Sequence, residues 1–228
     1  MNSRQQKIFT TIIKEYIKTA EPIGSQTLLE KAKLNLSSAT IRNEMALLEK
    51  QGFIESPHTS AGRVPTELGY QFYIDNFLQT KKLPCKTEKA LQRNFNIKER
   101  ADLKILAKEL SAVSDLLIFL AFDKNDIYYT GLTNLFSQPE FSRQELICDI
   151  TRLIDHFDDV IHDIFEQIND DIHILIGRQN PFSQECSAVI ASYVFDSHES
   201  VLGIIGPMRM DYEQNVALVE TARSVLVN

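Results

Sequence analysis

Apolar positions recur at helical spacing three times within the first fifty residues. Ile8, Ile12, Ile13, Tyr16 and Ile17 mark a first helix, which Ser3 and Gln6 open as a capping box. It stops near Thr19, because Glu21-Pro22-Ile23-Gly24 cannot continue it. Ser25 caps a short second helix from Gln26 to about Lys33, with Leu28 and Leu29 facing inward. After a turn at Leu34-Asn35-Leu36, Ser37 or Ser38 caps a third helix. Its buried side is Ile41, Met45, Leu47 and Leu48, and Gly52 ends it. The period then changes from helix to strand. Phe53-Ile54-Glu55 and Arg63-Val64 have strand character and enclose the acid-free stretch Ser56-Pro57-His58-Thr59-Ser60-Ala61-Gly62. Thr66 caps a fourth helix through Leu78, with Leu68, Phe72, Tyr73 and Phe77 as its apolar side. Three helices with a tight turn between the second and third, then strand, turn and strand, predict a winged helix-turn-helix domain over residues 1–78.

Residues 79–97 read as a polar, charged connector carrying Pro84. From there to residue 228 strands and helices mix. A helix from Ile97 to Ser114 buries Leu103, Leu106, Ala107 and Leu110. The apolar run Leu116–Phe122 turns at Asp123-Lys124-Asn125-Asp126 into a returning strand, Ile127–Thr130. Ser142 caps a long helical region with Leu146, Ile150, Leu153, Ile154, Phe157, Ile161 and Phe165 on its apolar side. Three more strands follow, Ile172–Ile176, Ala188–Phe195 and Val201–Ile205, and a last helix occupies Tyr212–Val227. Gly206-Pro207 reads as a turn, and Arg209 with Asp211 as an ion pair before that helix. The whole is an α+β chain of two domains, the second sensor-like.

Composition narrows the class. The 228 residues suit one large or two small domains, and a 43% apolar content is ample for packed cores. No segment approaches the ~20 apolar residues of a membrane span, and the N-terminus shows no signal-peptide core. Cys85, Cys148 and Cys186 are an odd set without metal-like spacing, as expected of reduced cytoplasmic thiols. The net charge of −7 argues at first against nucleic acid. Its distribution does not. Residues 1–83 hold eleven Lys and Arg against eight Asp and Glu, whereas the remainder holds thirteen against twenty-three. A basic first third on an acidic remainder suits a DNA reader joined to a partner or ligand domain.

The third helix supplies the chemistry for such reading. Ser37, Ser38, Thr40, Arg42 and Asn43 occupy its first turns, where free backbone N–H groups favour phosphate. Arg grips guanine O6 and N7, Asn grips adenine N6 and N7, and Ser and Thr bond bases or phosphates. The same Ser-Ser-Ala-Thr run also serves as a plain helix cap with solvated polar residues. Glu44 and Glu49 sit farther along, tilted away from a groove. Ser25 and Gln26, at the start of the second helix, complete the set facing the duplex. In the wing, Arg63 is the candidate for a contact along the backbone or in the minor groove, with His58, Thr59 and Ser60 placed for phosphates. His58 has no second ligand-type residue at metal spacing, so neither a metal nor a catalytic role is expected for it.

These residues carry a resemblance. Ser37-Ser38-Ala39-Thr40-Ile41-Arg42-Asn43-Glu44-Met45 and Pro57-His58-Thr59-Ser60-Ala61-Gly62-Arg63 are similar to motifs of the heat-inducible transcription repressor family HrcA, within a likeness running from about Ser3 to Leu78. In the second domain, Gly131–Phe141, Ile176–Asn180 and Gly203–Tyr212 resemble segments of the same family. The resemblance implies a winged helix followed by a GAF-like domain. It also implies repression of chaperone operons through an inverted-repeat operator, a homodimer on double-stranded DNA, and a chaperonin partner that keeps the repressor competent. Members are usually longer by roughly half this chain, through a dimerising domain inserted in the GAF-like one. Here Leu116–Phe122 passes through four residues to the segment that normally follows that insertion. A dimer must then use Leu68–Leu78, the connector or the sheet.

The same residues bear on two other function classes. A small ligand in the C-terminal domain could control DNA affinity, although these residues define no ligand. An enzyme is not expected: no Ser-His-Asp order, Gly-rich phosphate loop, Cys-x-x-Cys or His-Glu-x-x-His occurs. The remaining histidines, 156, 162, 173 and 198, are scattered, and Asp155, Asp158, Asp159 and Asp163 read as a solvated helix side. No cofactor, metal or membrane partner is expected.

Overall fold

In the computed structural model the repeat around Ile8 and Ile12 forms α1, Ser3–Thr19, with Ile8, Phe9, Ile12 and Ile13 fully buried. The structure describes residues 1–32, 36–58, 62–92, 99–142 and 155–226. The box that opens α1 is Asn2 with Gln5, one residue before the expected Ser3 and Gln6: Asn2 Oδ1 accepts from Gln5 N and Gln5 Oε1 from Asn2 N. Asn2 is the residue with extended backbone, and its amide side chain caps as well as serine does. α2 spans Ser25–Ala32, so Ser25 is its first helical residue rather than its cap. α3 spans Ser38–Lys50 with Ser37 as its N-cap. Of the expected turn, Leu34 and Asn35 lie outside the described residues.

β1, Ile54–Glu55, pairs antiparallel with β2, Val64–Pro65, and α4 follows at Glu67–Phe77 under a Thr66 cap. An isolated bridge adds Ile23 to this hairpin, so the base of the wing is bound to the segment between α1 and α2. Residues 1–78 form one compact unit, its core being the inner faces of α1 to α4 together with Phe53 and Ile54. Two expected core leucines lie elsewhere. Leu47 is 48% exposed and Leu68 54%.

Residues 79–228 form the second unit. The stretch expected as a connector holds α5, Cys85–Gln92, which buries Leu91 completely. Pro84 stands just before it, and its carbonyl accepts from Glu88 N. α6 spans Arg100–Ser114 and buries the four apolar residues expected of it. The residues of that helix's expected first turn, 97 and 98, are outside the described set.

The centre is a five-stranded antiparallel sheet: β3 Leu117–Asp123, β4 Asp126–Thr130, β5 His173–Ile176, β6 Cys186–Phe195 and β7 His198–Pro207. Its order is β4-β3-β7-β6-β5, so the first and last strands are central and neighbours. That order is GAF-like. Period-two alternation sends alternate residues to opposite faces. Phe119, Ala188, Ile190 and Val201 face α8, Phe157–Gln167, and the segment holding Leu135 and Phe141. On the other face lie α6 and α9, Tyr212–Leu226, where Tyr212 Oη meets Ser187 Oγ at 2.8 Å. A Cβ at Gly203 would stand 2.1 Å from the ring of Phe119, so glycine there gives the ring its place across β7. Phe119, Phe157 and Phe182 then pack with centroids 5.3–5.4 Å apart, filling this face with aromatic rings.

Several local expectations are corrected. Gly206-Pro207 is not a turn but the end of β7, because β6 extends back to pair Ser187 with Gly206 and Cys186 with Pro207. Arg209 does not pair with Asp211. Arg209 binds Glu140 and Gln138, while Asp211 and Glu213 bind Lys81. Ser142 ends a 3₁₀ turn, Pro139–Ser142, and a short helix α7, Leu132–Phe136, precedes it. The expected helical positions Leu146, Ile150, Leu153 and Ile154 lie outside the described residues. Asp155, Asp158, Asp159 and Asp163 are exposed.

Candidate nucleic-acid interface

The exposed residues of α3 are Ala39, Arg42, Asn43, Ala46, Leu47 and Lys50. Their spacing, i, i+3, i+4, i+7, i+8, i+11, is one stripe about 16 Å long, and it contains no acid. Ile41, Glu44, Met45 and Leu48 are buried on the opposite side. Glu44, 8% exposed, accepts from Arg4 at 3.3 Å, which fixes α3 to the start of α1. The two adjacent leucines differ by about 100° around the helix, so only one of them can enter the core. Leu48 does, and Leu47 joins the stripe. The exposed stripe thus also includes Ala39, Ala46, Leu47 and Lys50, which sequence reading did not place there. The signal that could have found them is the helical period counted outward from Arg42.

Eight of the eleven predicted site residues fall into three groups. Ser37 and Thr40 are engaged with each other: Ser37 Oγ accepts from Thr40 N at 3.1 Å and lies 2.9 Å from Thr40 Oγ1. Ser25, Ser38 and Arg42 are brought together across the helix-turn-helix. Ser25 Oγ lies 3.1 Å from Ser38 Oγ and accepts from Arg42 Nε at 3.4 Å. Asn43, Gln26 and His58 are exposed, with Gln26 donating to Glu30 at 3.5 Å. Thr59 and Ser60 lie outside the described residues.

Arg63 sits at the base of the wing rather than at its tip. Its backbone exchanges two hydrogen bonds with Ile23, each 2.9 Å, and its guanidinium donates to Glu49 Oε2 at 2.9 Å. A Cβ on the neighbouring Gly62 would lie 2.4 Å from the carbonyl carbon of Ile23, so only glycine permits this approach. The wing is thus attached at two points, to Ile23 through backbone and to α3 through Arg63 and Glu49. An arginine in this position is partly neutralised by its own protein.

The described residues hold no group of three or more metal-ligating side chains, and no helix long and apolar enough to cross a membrane. In the second unit a cavity of about 210 Å³ opens between α8 and β5, with Ile164, Ile168, Leu175 and Ile190 as apolar lining and Asp163 and His173 among the polar. Cys186 lies in the sheet core. Burial pushes its thiol up from 9.0 to about 12, against the hydrogen bond with Ser183, so it stays protonated and inert at neutral pH. Cys85 is exposed, and Cys148 is outside the described residues.

Known proteins resemble this chain over most of its length. The family model of the HrcA protein C-terminal domain matches residues 71–216. The heat-inducible transcription repressor HrcA of Desulforamulus reducens is 29% identical, with 96% of this chain and 94% of the relative covered. That of Pelotomaculum thermopropionicum is 43% identical over 121 residues, 53% of this chain and 35% of the relative. A crystal structure of a hypothetical protein at 2.2 Å resolution shares the fold with a TM-score of 0.79 at 19% identity, covering 99% of each chain. The alignment with the Desulforamulus repressor spans 330 positions, so more than one hundred of its positions have no counterpart among these 228 residues. With its family model matched over well over half its length, the chain belongs to the HrcA family.

Proposed function

We propose that this chain is a sequence-specific transcription repressor that holds heat-shock genes off by binding their DNA through α3 and the wing. The observation that carries the DNA-reading part is the exposed, acid-free stripe of α3 centred on Arg42 and Asn43. Arg42 and Asn43 read base edges; Ser25, Gln26, Ser38 and the wing residues His58, Thr59 and Ser60 hold the backbone. Ser37 and Thr40 shape the helix start and present its N–H groups to phosphate. The active form is a homodimer on an inverted repeat, because one winged helix buries only about 600–1,000 Å² and two-fold symmetry doubles it. The unmatched positions of the relative support the absence of an inserted dimerising domain here. At the expected point of insertion Lys124-Asn125 close β3 onto β4 directly. Pairing therefore uses another surface. Release under heat stress follows loss of a chaperonin that keeps the repressor competent. Such a protein works in the cytoplasm, on the nucleoid.

Footprinting of the chain on the DNA upstream of its own gene and of chaperone genes, beside light scattering, tests this. Protection of an inverted repeat by a dimer is expected. Binding equal to that on random duplex would sink it.

A second reading rests on the cavity between α8 and β5: a small ligand there would set DNA affinity. A thermal-shift screen of metabolites, with hits tested for altered footprinting, separates the two.

A further inference from the structure

The distal half of the α3 stripe is apolar in a way that plain phosphate binding does not need. Ala46 and Leu47 stand exposed between Asn43 and Lys50, and Leu47 leaves 48% of its surface to water. Exposing a large aliphatic side chain forgoes the stabilisation that burial would give it. No acid lies on this stripe: Glu44 is turned to Arg4 and Glu49 to Arg63. Arg42 and Lys50 flank the apolar pair, so what covers it carries negative charge at its rim. The major groove of a duplex has that charge arrangement, with phosphates outside and base edges within. Leu47 can make no hydrogen bond there. The one base-edge group an aliphatic side chain recognises is the C5-methyl of thymine. Ala46 beside it is short enough to let the helix backbone approach the groove floor.

We infer that Leu47, with Ala46 beside it, is a specificity-determining contact that reads thymine methyl groups in the operator. Leu47 lies one turn beyond Asn43, about 6 Å along the axis, so its thymine falls about two base pairs from the base that Asn43 reads. This rests on α3 being the recognition helix.

The test uses the full chain and the duplex recovered by binding-site selection from a random library. Each thymine of one half-site is replaced in turn by deoxyuridine, which lacks only the methyl group. Affinities of the wild type, Leu47→Ala and Arg42→Ala are compared by fluorescence anisotropy. The wild type loses about fourfold at one or two thymines, the equivalent of the ~0.8 kcal/mol of one buried methyl. Leu47→Ala shows little further loss at those same positions and full loss at none. If every uracil is neutral for the wild type, or if the losses persist undiminished in Leu47→Ala, the inference is overturned. A Leu47→Ala chain that scatters as a smaller species than the wild type overturns it too, placing Leu47 between copies. Unchanged affinity of Arg42→Ala for the selected site would instead remove α3 as the recognition helix.

Discussion

Glu49 on α3 holds Arg63 at the base of the wing, Oε2 to Nη2, at 2.9 Å. The two side chains are 34% and 26% exposed, and they span the gap between α3 and the hairpin. This pairing couples two elements that a DNA reader must present in register. It also partly neutralises the charge on Arg63.

Glu49→Gln therefore tightens binding to every duplex and steepens the salt dependence by about one unit of slope, as an unneutralised Arg63 turns to phosphate. Arg63→Ala flattens the slope and costs the domain about 0.5–1 kcal/mol from the lost ion pair. Anisotropy titrations at four salt concentrations measure both. An unaltered slope in Glu49→Gln would leave Arg63 as a structural anchor alone.

Gly62→Ala is the sharper test of the wing. The added Cβ would press on the backbone of Ile23, which cannot yield as a flexible side chain would. Breaking the Ile23–Arg63 bridge is expected to destabilise residues 1–78 by about 1–3 kcal/mol and weaken binding to all sequences alike. Thermal unfolding and a gel shift on specific and random duplexes check this. A loss confined to the specific site would contradict it.

Removing the cap of α3 separates fold from contact. Ser37→Ala leaves Thr40 N without its acceptor and costs about 1 kcal/mol of stability. Ser37→Asp, an equally good cap, restores the stability and, by placing charge near phosphate, lowers DNA affinity. Melting curves beside binding curves give both outcomes. Equal affinity of the two variants would move Ser37 away from the duplex.

Much of this was legible in the sequence because the signals are local. Thr66 capping α4, Gly52 closing α3 and the strand-turn-strand of the wing are each signalled by adjacent residue types. The failures share a cause, which is partners distant in the chain. Leu47 and Leu48 look alike to a hydrophobicity pattern, and only the packing of α1 and α2 against α3 decides between them. Gly206-Pro207 has turn chemistry, yet pairing with Cys186 and Ser187 draws it into a strand. Arg209 finds Glu140 sixty-nine residues away instead of nearby Asp211. α5 carries little apolar surface of its own, so Leu91 declares its role only when the rest of the unit covers it.

Alkaline pH should weaken the second unit through Cys186. Its thiol is raised by burial first, with the Glu185 and Glu140 carboxylates adding to the effect. The folded value, about 12, exceeds the unfolded 9.0, so the contribution is fully present below pH 9 and is lost as pH rises from there towards 12. The slope is at most about 1.4 kcal/mol per pH unit for one group. Buried Tyr193 and Tyr212, also raised, add their own losses above pH ~10. Denaturant unfolding of wild type and Cys186→Ala between pH 8 and 10 isolates the cysteine. The variant should show the flatter dependence, and parallel curves would refute the assignment.

The pairing of Arg209 with Glu140 joins two of the segments that resemble the family, Gly131–Phe141 and Gly203–Tyr212. Gln138 accepts from the same guanidinium at 2.9 Å, and the arginine side chain is only 12% exposed. The arrangement explains both segments as the means of fastening the chain around α7 to the end of β7. Arg209→Ala strands a partly buried carboxylate and should cost about 1–3 kcal/mol, between the values of surface and buried pairs. Arg209→Met with Glu140→Leu replaces both charges by apolar groups of similar length and should recover most of that loss. Below the melting temperature neither variant alters DNA affinity if the pair only fastens the fold. Should the double variant regain stability yet bind operator differently, these residues would belong to a ligand-responsive site instead. Melting and anisotropy on the same samples distinguish the two.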